Sequence, residues 1–162
     1  MPPIVLFGLQ FTFSLVAYGV FAAWYAVPRL APWPQAQALA PLLWVHVFRI
    51  AGGAILAPGS VDPSIPADFR AMVGLGDMAT ALLALVALVA LRTRAGFALG
   101  LVWLFLVFAT ADTANAVVQS LRYDVFDAPL GLNWTIVTCY VPALLVSSWL
   151  ILVRLLRPAA AA

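Results

Sequence analysis

Trp44-Val45-His46-Val47-Phe48-Arg49-Ile50-Ala51-Gly52-Gly53, then a Pro-rich turn, then Phe69-Arg70 and Gly74-Leu75-Gly76-Asp77-Met78 decide how this chain is read. The stretch sets a histidine, an arginine and an aspartate inside runs otherwise apolar enough to cross a membrane. Charges are costly there, and by default they mark a functional site.

The rest of the composition agrees with that reading. Of 162 residues, 65% are hydrophobic and only 9% charged, and the mean hydropathy is +1.08. Soluble domains average about 25% charged residues, so the chain reads as an all-α integral membrane protein. Every basic side chain is Arg and every acidic one is Asp. A net charge of +2, scattered along the chain, gives no nucleic-acid footprint. The single cysteine, Cys139, excludes an internal disulfide and a multi-Cys metal site, and beside Tyr140 it reads as packing. One His excludes bis-His haem, and no metal or other cofactor is expected.

Five segments reach the ~20 apolar residues that a span needs: about 4–26, 39–57, 69–91, 96–120 and 131–156. They lack the short alternating strands of a barrel. Pro, Gly and Asp punctuate them in 27–38, 58–68, 92–95 and 121–130. The expectation is one five-helix domain over 1–162, with a frayed tail at 158–162. Met1-Pro2-Pro3-Ile4 lacks the basic start of a signal peptide, so the first run reads as a retained span. Arginine counting sets the orientation. Arg29, Arg92, Arg94, Arg154 and Arg157 fall on one side, against Arg70 and Arg122 on the other. Basic loops stay inside, which predicts N-terminus out and C-terminus in. Trp24, Tyr25, Trp33, Tyr123 and Trp134 sit near span ends, as interfacial aromatics do.

Depth follows from the rise of a helix. Arg49, Asp77 and Asp112 each lie eight residues from the outer end of their span, or about 12 Å at 1.5 Å per residue. The hairpins then let Arg49 face Asp77, and Asp77 face Asp112. His46 precedes Arg49 by three and Asn115 follows Asp112 by three, each pair on one face. Gln10, Gln119, Asn133 and Trp134 also fall in the outer half, while the inner half of the third span is almost wholly apolar. The pattern predicts a polar pocket opening outward over an apolar floor, formed by His46, Arg49, Asp77, Asp112, Asn115, Gln10, Gln119, Asn133 and Trp134. One cation against two carboxylates leaves one proton to be held, on Asp112 if Arg49 prefers its hairpin partner Asp77, unless His46 is the second cation.

Three functions fit these residues. The first is a binding protein for a small apolar or amphiphilic, lipid-like ligand. The second is an acid–base enzyme, an isomerase or cyclase of a lipid-like or isoprenoid substrate, with Asp112 donating and Asp77 receiving a proton. The third is a structural subunit or assembly factor whose charges only join helices. Apolar outer faces also permit a homodimer.

The runs Val47-Phe48-Arg49-Ile50-Ala51-Gly52-Gly53, Ile65-Pro66-Ala67-Asp68-Phe69 and Gly74-Leu75-Gly76-Asp77-Met78 resemble a family of small bacterial inner-membrane proteins. Its pattern is Phe/Tyr-Arg-x-x-Gly, Pro-x-x-Phe and Gly-x-Gly-Asp, with an Asp in the next span (Asp112) and a Pro in the last (Pro142). The resemblance covers about 44–156. It implies a multi-pass inner-membrane location and a fold, but no activity. The five spans and the tryptophans also resemble the tryptophan-rich sensory/translocator proteins in architecture alone, since the Trp/Pro motifs between their first two spans are missing. Gly74-Leu75-Gly76-Asp77 is similar to the tetrapeptide of intramembrane aspartyl proteases, without the span count that fold needs.

Overall fold

Proline decides how these helices are drawn. The computed structural model describes residues 1–156; Arg157 and the tail 158–162 lie outside the described residues. Five helices are long and apolar enough to cross a membrane: α1 (Pro3–Leu30), α2 (Gln35–Leu56), α3 (Ala67–Arg92), α4 (Ala98–Arg122) and α5 (Leu132–Leu156). Helix α1 runs through Pro28, which the sequence places in a loop. Its π-helical turn Ala22–Ala26 explains how: Val27 N–H bonds the Ala22 carbonyl, and the wide turn falls just before the residue that has no N–H to give. The same device recurs in α5, where π-helical Ile136–Tyr140 precedes Pro142.

Helix α2 tightens instead. After α-helical Gln35–Val47 it becomes a 3₁₀ helix over Phe48–Leu56. With three residues per turn, side chains at i and i+3 stack. Arg49, Gly52 and Ile55 therefore form one line, and they are the buried residues of that segment. His46 sits one step before them.

Helix α5 packs on α1, α2 and α4, while α3 lies against α2 and α4. A stripe of buried alanines on α3, Ala81, Ala84, Ala87 and Ala90, lets neighbouring backbones come close. The main core holds Leu39, Leu43, Val102, Phe105 and Ile151. A second, smaller core gathers Ile55, Ile65, Phe69, Val125 and Leu130 where two loops meet. The charges are polarised. The α1–α2 and α3–α4 turns and the end of α5 carry Arg29, Arg92, Arg94 and Arg154 without an aspartate, whereas Asp62, Asp68, Asp124 and Asp127 lie at the other end with Arg70 and Arg122. Leu9, Phe13, Leu82, Val89, Leu104, Val107 and Val118 are exposed, far more apolar surface than a water-facing bundle leaves open.

The Asp-rich loops are tied together. Asp62 N–H bonds the Pro129 carbonyl at 3.0 Å, and Asn133 Nδ2 bonds the Ser60 carbonyl at 3.3 Å. The Asp62 carboxylate accepts Ser64 N–H at 2.8 Å, an Asx turn. The Ser64 hydroxyl, and then its backbone N–H, hold the Asp62 carboxyl below its ordinary value of 3.8. A lowered folded pKa means the turn is favoured at neutral pH and loses that support as pH falls through the carboxylate range. A carboxyl-carbon NMR titration of Asp62 is expected to show a midpoint below 3.8; a midpoint at or above it contradicts the turn.

Candidate functional site

The line Arg49–Gly52–Ile55 on α2 faces α3, and the charged site is built on it. Arg49 Nε–H donates to Asp77 Oδ1 at 2.5 Å, and Nη2–H donates to Asp112 Oδ2 at 2.7 Å. One planar guanidinium thus joins three helices, a task suited to its fixed fork of donors. The side chain of Arg49 is 6% exposed, those of Asp77 and Asp112 16% and 13%, so the carboxylates keep a narrow opening. Sequence depth brings these three residues to one level. It also has the two aspartates face each other, but the structure inserts the guanidinium so that it bonds both.

Glycines make the space. A Cβ on Gly52 would stand 2.6 Å from Asp77 Cγ, and one on Gly76 would stand 2.9 Å from Asp112 Cγ. A Cβ on Gly74 would meet Leu56 Cγ at 2.5 Å. In Gly74-Leu75-Gly76-Asp77, then, the first glycine admits α2, the second admits the carboxylate of α4, and the aspartate reaches Arg49. The run is a packing code for three helices at a charged crossing. Thr80 completes it: its hydroxyl lies beside the Asp112 carboxyl and donates to the Gly76 carbonyl at 2.8 Å.

His46 lies apart from the opening. It is fully buried, edge-on to Phe105 with ring centroids 4.9 Å apart. Its Nε2 is 3.4 Å from Ser148 Oγ, and its Nδ1 has no hydrogen-bond partner. The other expected pocket residues are spread out. Gln10 accepts the Trp134 indole N–H at 2.6 Å, joining α1 to α5. Asn133 serves the Ser60 loop. Asn115 Nδ2 contacts Met72 Sδ at 3.1 Å. Gln119 Oε1 is buried without a protein partner. The nine residues therefore form a central triad and several separate helix contacts. Among the described residues, no group of three or more His, Cys, Asp or Glu is placed to hold a metal.

Helix α5 supplies contacts that periodicity does not reveal. The Tyr140 phenol donates to the Val45 carbonyl, next to the point where α2 changes from α to 3₁₀. Ser147 Oγ donates to the Leu42 carbonyl at 3.0 Å. Tyr140 closes the π turn before Pro142, and that turn rotates it away from the face a regular helix would give it. Thr80 was within reach of reasoning, being three residues after Asp77. Two roomy cavities lie toward the Arg-rich end, and the triad lines neither.

A family model described as Domain of unknown function (DUF8737) matches residues 6–156, nearly the whole chain. No curated protein and no solved structure gives a significant match.

Proposed function

The chain belongs to that family, and we propose that it is a multi-pass protein of a bacterial inner membrane that binds a small amphiphilic ligand at Arg49, Asp77 and Asp112. The N-terminus lies outside and the Arg29, Arg92, Arg94 and Arg154 end faces the cytoplasm, in keeping with the positive-inside rule. One observation carries the binding reading: a single guanidinium is shared by two partly open carboxylates. A purely structural pair needs only one. The surplus acceptor suits a hydroxyl, an amine or another donor on an otherwise apolar molecule, whose body lies along the exposed apolar faces. Gln119 and Asn115 continue the polar line toward the outer surface.

The same charge count favours acid–base catalysis as the second reading. Two carboxylates against one guanidinium reach electroneutrality when the pair holds one proton. That chemistry fits an isomerase or cyclase of a lipid-like substrate.

The test is co-purification. Protein extracted in mild detergent is expected to carry a small organic molecule, identified by mass spectrometry. Asp112→Asn leaves the Arg49–Asp77 bond and should still fold. Losing a charged hydrogen bond of roughly 1.5–3 kcal/mol should lower the retained ligand about 10- to 100-fold. Unchanged retention in Asp112→Asn, or no molecule in the wild type, contradicts the reading. Turnover that Asp112→Asn abolishes while binding persists would select the enzyme.

A further inference from the structure

Away from the triad, α1 and α2 part over α5 and leave a cavity of about 520 Å³, within the usual range of roughly 300–1,000 Å³ for small-molecule sites. Its walls include Tyr18, Phe21, Tyr25 and Trp33, and Arg29 stands among them as the one charged residue among the described residues of the lining. The π turn Ala22–Ala26 contributes Ala22, Tyr25 and Ala26. The bulge that accommodates Pro28 therefore also shapes this wall.

We propose that this groove holds one acyl chain of an anionic glycerophospholipid, with the lipid phosphate on Arg29. The proposal rests on the membrane reading above but not on the Arg49 site. Charge complementarity identifies the occupant. Arg29 makes no ion pair among the described residues, and its guanidinium lies over the Tyr25 ring at 5.6 Å from the centroid. Stacking of that kind leaves the N–H edge free for a phosphate fork. Arg154 borders a small side recess that shares Leu30, Leu42 and Leu150 with the groove, so two cations flank one apolar slot. No aspartate stands at this end to neutralise them. Basic pockets between helices on the cytoplasmic side are suited to anionic headgroups. A neutral lipid fills the slot equally well but leaves both arginines unanswered.

The experiment uses the full chain in lipid nanodiscs doped with phosphatidylglycerol or phosphatidylcholine bearing a diazirine on one acyl chain. After irradiation, adducts are mapped by peptide mass spectrometry. Phosphatidylglycerol should label the Tyr18–Trp33 peptide, and phosphatidylcholine should label it about tenfold less. Arg29→Gln should remove that preference, while Arg92→Gln, at the same end but outside this groove, should keep it. Ala143→Phe, which fills the slot from α5, should abolish labelling by both lipids. Asp112→Asn should leave labelling unchanged, which separates this site from the one at Arg49. Equal labelling by the two lipids, or equal loss in Arg92→Gln and Arg29→Gln, overturns the proposal. So does a homodimer that Ala143→Phe dissociates, because a second copy would then be the occupant. Failure of the chain to enter the bilayer, seen as release by alkaline carbonate, overturns the membrane reading itself.

Discussion

Replacing Arg49 with leucine is expected to cost about 3–5 kcal/mol of folding stability, because it leaves two carboxylates at a buried helix crossing without their cation. The Asp77 and Asp112 side chains are only 16% and 13% exposed, so water replaces the lost partner only in part. The loss should appear as a collapse of the monodisperse peak on detergent chromatography and a lowered unfolding midpoint. Arg49→Lys should recover only part of it. An ammonium can approach one carboxylate closely, but it lacks the planar fork that spans Nε to Asp77 and Nη2 to Asp112. The decisive comparison is the triple variant Arg49→Leu/Asp77→Asn/Asp112→Asn. Removing the orphaned charges together should make it more stable than Arg49→Leu alone. A triple variant no better than the single one would mean that Arg49 acts through packing of its stem, not through its charge.

The second large effect falls on two glycines. Gly52→Ala drives a methyl into the Asp77 carboxylate, and Gly76→Ala drives one into that of Asp112. Neither carboxylate can retreat without leaving Arg49, so overpacking of about 1–3 kcal/mol adds to a weakened ion pair. Gly53→Ala is the matched control. Its Cβ would meet only Met78, at 3.2 Å from Cγ, and a flexible thioether chain can give way. Gly53→Ala should lie within about 1 kcal/mol of wild type, a mild repacking, while Gly52→Ala and Gly76→Ala unfold at clearly lower temperature. Equal tolerance at all three positions would contradict the clearance role.

How much of this was legible depends on which physical signal carried it. Hydropathy and length placed five helices, because ~20 apolar residues in a row have few other uses. The meeting of Arg49, Asp77 and Asp112 was also within reach, since helix rise converts sequence distance into height. What stayed hidden depends on departures from 3.6 residues per turn. The Pro28 region reads as a loop, because proline ends helices unless a wide turn precedes it. The 3₁₀ segment Phe48–Leu56 is equally invisible, although Gly52-Gly53 mark where tight winding is tolerated. Tyr140 and the apolar groove both depend on π turns that no periodic template contains. The nine polar residues expected to share one pocket do not, because loops and neighbouring helices capture Asn133, Gln10 and Trp134 locally.

The Gly-x-Gly-Asp run changes meaning once the helices are in place. Read as a motif, it points toward aspartyl chemistry. Read in three dimensions, Gly74 and Gly76 are clearances for α2 and α4, and only Asp77 carries charge to the partner. The site that results is a charged staple with one carboxylate in excess, and the proposed ligand or proton role rests on that excess.

The most direct measurement is solid-state NMR of the protein in bilayers, recoupling ¹⁵N in arginine side chains with ¹³C in aspartate carboxyls. The account predicts that the Arg49 Nε signal is dephased by one carboxyl and its Nη signal by another. Asp77→Asn should selectively alter the first effect and Asp112→Asn the second. If only one nitrogen responds, or if neither substitution changes the dephasing, Arg49 does not join the two carboxylates and the shared site does not exist.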